Sequence, residues 1–425
     1  MPGNAATRIL YLLVLSLFAG LISSALGIAQ TERFTLKQHL GKFLYFDENL
    51  SEPSGQSCAS CHLPESGFAD PDSTLPVSKG VDPKRFGERN SPSAAYAMYA
   101  PSFHFDSVEE LFIGGQFWDG RATGYVLSDP LADQALVPFM NPVEMANPDK
   151  TTVIRDVLAS DYKKLFIDVC GPVNLNVRSQ VSSAYDCVAL SIAAFERTSL
   201  FGQFNSKYDY YLKKCLAAGG DKDNCAQGIG KAAKQAGRIF SQEEWYGMQL
   251  FMGQNNNDGN LDQGEGAMCA ECHIVEWQKA EDNVHVPAWA PSGWVPQMFT
   301  DFTFDNLGVP KNTEYPLDPN AHPDLGLGGE LGNLAENGKF KVMTIRNIDL
   351  TAPYAHNGYF KGLKEITHFY STRDVPGSLE KGTDWPPPEY PATINRDELG
   401  NLGLSDNDEN ALVKFMKTLS DGWTP

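Results

Sequence analysis

Beyond its first thirty residues the chain lacks any apolar run long enough to cross a bilayer. It is also poor in basic residues, with 34 Lys and Arg against 53 Asp and Glu and a net charge of −19. That deficit argues against nucleic acid as a partner, because binding phosphate needs a basic face. Stretches with strand periodicity are missing too, which points to a mainly α fold. Cysteine and histidine are scarce, eight of each, so their placement carries information. Residues Met1 to Ala29 read as an export signal: Arg8 is the only charge, an apolar run starts at Ile9, and Gly27-Ile28-Ala29 supplies small residues for cleavage. Its removal takes one Arg and no acid, leaving 396 residues and a net charge of −20, enough for two or three domains. Left uncleaved, the run approaches spanning length and would anchor the chain in a membrane. Position 30 is Gln30, so no cysteine offers a lipid anchor there.

Four of the cysteines fall in two short runs, Cys58-Ala59-Ser60-Cys61-His62 and Cys269-Ala270-Glu271-Cys272-His273. Each is a C-x-x-C-H motif, the attachment site of a c-type haem. The two thiols add across the haem vinyl groups and the histidine ligates the iron. A zinc site would need a second half that neither run has. Two covalent haems imply redox chemistry. They also imply a periplasmic or cell-surface protein, since bacterial c-type haem is attached outside the cytoplasm. The other four cysteines, Cys170, Cys187, Cys215 and Cys225, are not followed by His. An even remainder in an oxidising compartment suggests two disulfides. Sequence proximity favours Cys170–Cys187 and Cys215–Cys225 among three connectivities.

Helical spacing of apolar residues predicts helices over 34–46, 152–166, 181–201, 245–252, 363–370 and 406–419. Residues 64–107 and 277–338 are rich in Pro and Gly and read as long loops wrapped round cofactors. Such loops are tolerable because haem supplies the missing core.

Further motifs flank the haem runs. The first set is Phe117-Trp118-Asp119-Gly120-Arg121-Ala122, Gln134-Ala135, Pro138 and Asn141-Pro142-Val143-Glu144-Met145. The second is Phe340-Lys341-Val342-Met343-Thr344-Ile345-Arg346-Asn347 and Thr351-Ala352-Pro353-Tyr354-Ala355-His356-Asn357-Gly358. In this combination and order the chain resembles the bacterial di-haem cytochrome c peroxidase family, which includes the methylamine-utilisation enzyme MauG. The resemblance covers nearly the whole mature chain. It implies two cytochrome c-like haem domains: a peroxidatic one over 30–235 with a helical insertion, and an electron-transfer one over 236–425 whose last helix is free to pack on the first. It sets Glu144 at the distal acid–base carboxylate, with Gln134 and Pro138 at other distal positions. A carboxylate of raised pKa suits a group that takes a proton from peroxide and returns it to the leaving oxygen. The bland alternative for Glu144 is an acid at a helix N-terminus after Asn141-Pro142. Trp118 matches an aromatic relay between the haems; an isolated Trp is otherwise packing. The stretch from Trp118 to Gln134 is longer than the family pattern, by about six residues around 124–129.

The axial ligands distinguish branches of the family. His62 and His273 are proximal by motif. The peroxidases usually carry a second histidine before the motif found here as Arg89-Asn90-Ser91-Pro92, yet no histidine lies between His62 and Asn90. The first haem is therefore expected to be open or water-filled on its distal side; His104, beyond that loop, is the one alternative ligand and reads rather as a surface or structural histidine. Fourteen residues after His356, where peroxidases have Met, stands Tyr370. A hard phenolate favours oxidised iron and a soft thioether favours reduced iron. Tyr370 thus resembles the MauG-like branch; His356, His368 or Met343 are the other candidates for that ligand. The resemblance also implies Ca²⁺ bound by the Asn90 side chain and the carbonyls of Thr351 and Pro353. Residues Gln254 to Glu265 have EF-hand-like spacing (Asn256, Asp258, Gly259, Asp262, Glu265), with Gln254 in place of the first Asp; a solvated loop is the alternative. Expected partners are hydrogen peroxide and either a small redox protein (a c-type cytochrome or copper protein) or a protein substrate. Three functions compete: a MauG-like oxidoreductase, a cytochrome c peroxidase that removes hydrogen peroxide, and a non-catalytic electron-transfer cytochrome. Glu144, Gln134 and the open site argue against the last, since a carrier needs no open site.

Overall fold

In the first half of the chain, helices α1 (Leu36–Phe46), α2 (Cys58–Cys61), α3 (Pro130–Ala135), α4 (Lys150–Ala159), α5 (Lys163–Cys170) and α6 (Arg178–Glu196) follow one another. A hairpin of β1 (His104–Asp106) and β2 (Leu111–Ile113) lies between α2 and α3. The chain continues with α7 (Lys207–Ala217), α8 (Lys222–Gln227), α9 (Gly230–Ala236) and α10 (Gln242–Phe251). Two antiparallel pairs follow, β3 (Gln278–Lys279) with β4 (Trp294–Val295) and β5 (Phe304–Asp305) with β6 (Phe340–Lys341). The remaining helices are α11 (Gly326–Leu331), α12 (Leu363–Thr372) and α13 (Asp406–Lys417). This computed structural model describes residues 34–253, 267–379 and 382–424; the export signal and the calcium-like loop at 254–265 lie outside them. Among the described residues no helix is long and apolar enough to cross a membrane.

The fold is mainly α, and its helices start where capping chemistry dictates. Ser206, Ser241 and Ser405 each open a capping box, with Asp209, Glu244 and Asp408 as reciprocal partners. The helical stretch read over 152–166 is two helices, broken at Ser160, whose hydroxyl bonds the Val157 carbonyl (2.7 Å). The strands that periodicity did not reveal are only two or three residues long, too short for a period to show.

Two helix crossings repeat the same chemistry. α1 crosses α6 at Gly41, where a Cβ would lie 1.9 Å from the Ser191 carbonyl oxygen and 2.8 Å from Phe195 Cβ. α10 crosses α13 at Gly247, where a Cβ would lie 1.9 Å from the Ala411 carbonyl oxygen and 3.0 Å from Phe415 Cβ. Only glycine permits either approach. Each crossing pairs the helix before a C-x-x-C-H run with a helix that ends in Phe-x-x-Thr: Phe195 to Thr198, then Phe415 to Thr418. All four of these Phe and Thr residues are buried.

Disulfides join Cys170 to Cys187, tying α5 to α6, and Cys215 to Cys225, tying α7 to α8. These are the pairings that proximity favours. Residues 208–236 share a hydrophobic core with Met248, Phe251, Phe299 and Phe415. A buried ion pair lies beside that core: Arg346 gives two hydrogen bonds of 3.1 Å to Asp209, and the rings of Tyr96 and Phe204 cover its guanidinium. After α13, the Asp421 carboxylate accepts from Tyr96 Oη (2.8 Å), so the chain end reaches the first half.

Candidate functional site

The four motif cysteines are free thiols, whereas the other four are paired. Burial pushes the Cys61 and Cys269 thiols up to about 12 and raises Cys58 and Cys272 as well. These are apolar seats, not sites for reactive thiolates.

Both motif histidines are held alike. His62 Nδ1 faces the Phe68 carbonyl at 3.2 Å, and His273 Nδ1 faces the Phe299 carbonyl at 2.9 Å. A carbonyl can only accept, so the proton sits on Nδ1 and the lone pair on Nε2. Burial lowers the pKa of both rings and keeps them neutral. A neutral imidazole with its second nitrogen pinned to a carbonyl is the arrangement of an iron-ligating histidine. The donor set therefore fits a c-type haem at each run.

On the first site, α3 and the turn after it bring Gln134, Pro138 and Glu144 into one small loop. Val137 N–H bonds the Gln134 carbonyl (3.1 Å) and Met145 N–H bonds the Pro138 carbonyl (3.2 Å). Asn141 Nδ2 donates to Glu144 Oε1 at 2.8 Å. Burial raises the pKa of Glu144, opposed by Asn141 and by the charge of Arg121. The charge of Glu144 reaches both Cys58 and Cys61. The long stretch at 124–129 folds tightly over the buried Asp133 carboxylate, which accepts from the N–H groups of Gly124 (2.8 Å), Val126 (3.1 Å) and Leu127 (2.8 Å). His104 stands on the exposed hairpin with Nδ1 against the Ser102 carbonyl (2.9 Å).

The second site is a cavity lined by Cys269, Cys272, His273 and Tyr370, together with Met343 and His356. Tyr370, on α12, has no hydrogen-bond partner for its hydroxyl among the described residues, and burial raises its pKa, with the neighbouring Cys272 and Cys269 adding to the rise. His368 is occupied elsewhere: Nδ1 meets Glu409 Oε1 at 2.8 Å and Nε2 meets the Ser378 carbonyl at 3.1 Å. Buried His356 stacks on Phe340 at 3.6 Å, and its Nε2 is 3.5 Å from Glu389.

Asn90, Thr351, Pro353 and Trp118 line this same cavity. Trp118 Nε1 donates to the Asn90 carbonyl (2.8 Å), and the next residue, Ser91, places its Oγ 3.4 Å from His62 Nε2. A single peptide link thus separates the contact of Trp118 from the first histidine. Asn90 Nδ2 is taken by the Pro76 carbonyl (3.2 Å), which leaves Oδ1 for a cation. Among the described residues no cluster of three or more His, Cys, Asp or Glu side chains could hold a metal ion.

One residue at the first site went unread in the sequence. Glu196, at the end of α6, is 5 % exposed, and its Oε2 is buried without a partner. It falls one place after Phe195, as Met416 falls one place after Phe415, and Met416 lines the second cavity. The repeated Phe-x-x-Thr is the signal that could have found it.

The sequence pattern of di-haem cytochrome c peroxidases matches residues 35–216. The chain is 33 % identical over 400 residues to the methylamine utilization protein MauG of Paracoccus denitrificans, covering 90 % of this chain and 88 % of that protein. It is 28 % identical over 383 residues to the cytochrome c551 peroxidase of Nitrosomonas europaea, covering 90 % and 79 %. The crystal structure of the diheme peroxidase BthA from Burkholderia thailandensis superposes with a TM-score of 0.70 at 26 % identity, covering 92 % of this chain and 87 % of that one.

Proposed function

Because the chain belongs to the di-haem cytochrome c peroxidase family, we propose that it is an exported oxidoreductase that reacts with hydrogen peroxide at its first haem and exchanges electrons through its second, in the manner of MauG. Two cytochrome c-like haem domains carry it, each centred on a helix crossing and a C-x-x-C-H run. Cys58, Cys61 and His62 hold the first haem; Cys269, Cys272, His273 and Tyr370 hold the second. When bound, the haem irons supply the redox chemistry: peroxide takes up two electrons and two protons and leaves as two waters.

The protein's own part is proton handling, exclusion of water and electronic connection. Glu144 would remove a proton from one peroxide oxygen and deliver it to the other, departing oxygen. Its raised pKa is matched to that double task, since a strongly acidic carboxyl would take up the proton too weakly and a strongly basic group would give it back reluctantly. Asn141 keeps the carboxylate aimed, while Gln134 and Pro138 shape the distal face. Trp118 carries charge between the sites along the Asn90–Ser91 link. Asn90 Oδ1 and the carbonyls of Thr351 and Pro353 take a Ca²⁺ ion that fixes this link, hard oxygens suiting a hard cation. The electrons come from a small redox protein or from a protein substrate, whichever docks.

The observation that carries this reading is Tyr370 lining the cavity of the second motif, with no hydrogen bond from its hydroxyl among the described residues, together with the commitment of His368 to Glu409 and Ser378. A second reading, a cytochrome c peroxidase that removes peroxide, is favoured by Met343, whose thioether lines the same cavity. Absorption and EPR spectra of the ferric protein test the proposal. It expects two haems per chain, one high-spin and one low-spin. Two low-spin haems would refute the open first site.

A further inference from the structure

Glu196 has no task in the chemistry described so far, and its surroundings are unfavourable for a charge. It sits at the C-terminal end of α6 with Oε2 buried and unpartnered. Burying a carboxylate without a donor is costly, so such a group stays protonated unless a neighbouring positive charge offsets the cost. The groups that face it are few. From α1 comes Tyr45, whose hydroxyl is already given to the His62 carbonyl at 2.8 Å. From α2 comes Cys58, a neutral thioether once haem is attached. Asp129, at the start of α3, and Arg197, next in sequence to Glu196, bond to each other at 2.7 Å and act on Glu196 in opposite directions, Arg197 the more strongly. Burial accordingly pushes the Glu196 carboxyl up to about 8.

The repeat gives this carboxyl its direction. Met416, at the same place in the second half, lines the second cofactor cavity. Glu196 correspondingly lies at the first cofactor's site, and Cys58 and Tyr45 both feel its charge. The first site thus carries an ionisable group where the second carries a thioether.

We infer that Glu196 is the proton partner of the first haem's electron: when that iron is reduced from ferric to ferrous, Glu196 takes up a proton from solvent, and when the iron is reoxidised it gives the proton back. The electron comes from the redox donor, or from dithionite in the test. Ferric haem carries one more positive charge than ferrous haem, so it stabilises a nearby carboxylate and its reduction removes that support. The effect is to hold the charge of the first site constant as electrons pass. At the matching place the second site has Met416, which takes up no proton. This inference rests on the reading that a haem is attached at Cys58 and Cys61.

Midpoint potentials of both haems in the full-length holoprotein, measured with redox mediators from pH 5 to 9, test it. The wild type should show one haem whose oxidation equilibrium shifts tenfold per pH unit over part of this range, about 59 mV for a one-electron couple. In Glu196→Gln, a near-isosteric change, that slope should vanish while the other haem is unaltered. Reduced-minus-oxidised infrared spectra of the wild type should gain a protonated-carboxyl band. Equal slopes in both proteins, or no such band, would overturn the assignment of Glu196. Two haems without any reaction with peroxide would overturn the proposed function alone, and a chain with no haem at the first motif would overturn both.

Discussion

Replacing Glu144 with Gln isolates the proton step. Glutamine keeps the size of the side chain, and its Oε1 can still accept from Asn141 Nδ2, which now lies 2.8 Å from Glu144 Oε1. Fold and haem content should therefore be unchanged. What is lost is a positioned base, a contribution of about 10²–10⁴-fold, or about 3–5 kcal/mol of activation free energy. Burial raises the Glu144 pKa, while Asn141 and Arg121 pull it down. The ionised form is the one that accepts the proton, so the wild-type rate should rise with pH through a value above that of an ordinary carboxyl. In Glu144→Gln that limb should be absent. Asn141→Ala supplies the intermediate case. It removes a donor that favours the carboxylate, so the limb should move to still higher pH while the base remains, and the loss at neutral pH should be smaller. Stopped-flow mixing of ferric protein with peroxide, followed in the haem absorption band, reads all three. An unchanged rate with an unchanged pH limb in Glu144→Gln would remove this residue from the mechanism.

Tyr370→Phe should alter the low-spin EPR signal of the second haem and leave the high-spin signal alone; an unaltered signal would assign the ligand to Met343 or His356. Arg346→Met leaves Asp209 buried without its cation, and stability should fall by about 3–5 kcal/mol. Guanidinium unfolding followed by circular dichroism measures this, and a loss well under 1 kcal/mol would show that Ser206, which also bonds Asp209 at 2.6 Å, suffices.

Features written in neighbouring residues were the legible ones. The haem runs, the disulfides between cysteines 10 and 17 positions apart, and the helices before each run can be read directly. Helices α7 to α9 were missed because their apolar residues are interrupted by Lys and Asp and their packing is set by a disulfide and by Trp277, Phe299 and Phe415 far along the chain. The long stretch at 124–129 looked like a departure from the pattern; its conformation depends on Asp133, whose three accepted bonds no composition reveals. Glu196 was hidden for a related reason. A glutamate in a helix ordinarily reads as a solvated face, and only the match of Gly41 with Gly247 and of Phe195 with Phe415 sets Glu196 at the place of Met416, which lines the second cavity. For Tyr370, the resemblance proposed the residue, and the structure added that His368 is committed to other partners.

The central claim is that one site is open to peroxide while its neighbour can store an oxidising equivalent. Titration of the ferric protein with hydrogen peroxide, without any electron donor, measures this directly by absorption and EPR. The account predicts that one equivalent produces a two-electron-oxidised protein that persists and returns to the ferric state when a donor is added. Spectra that stay unchanged on adding peroxide, or that change only after prior reduction of the second haem, would contradict it.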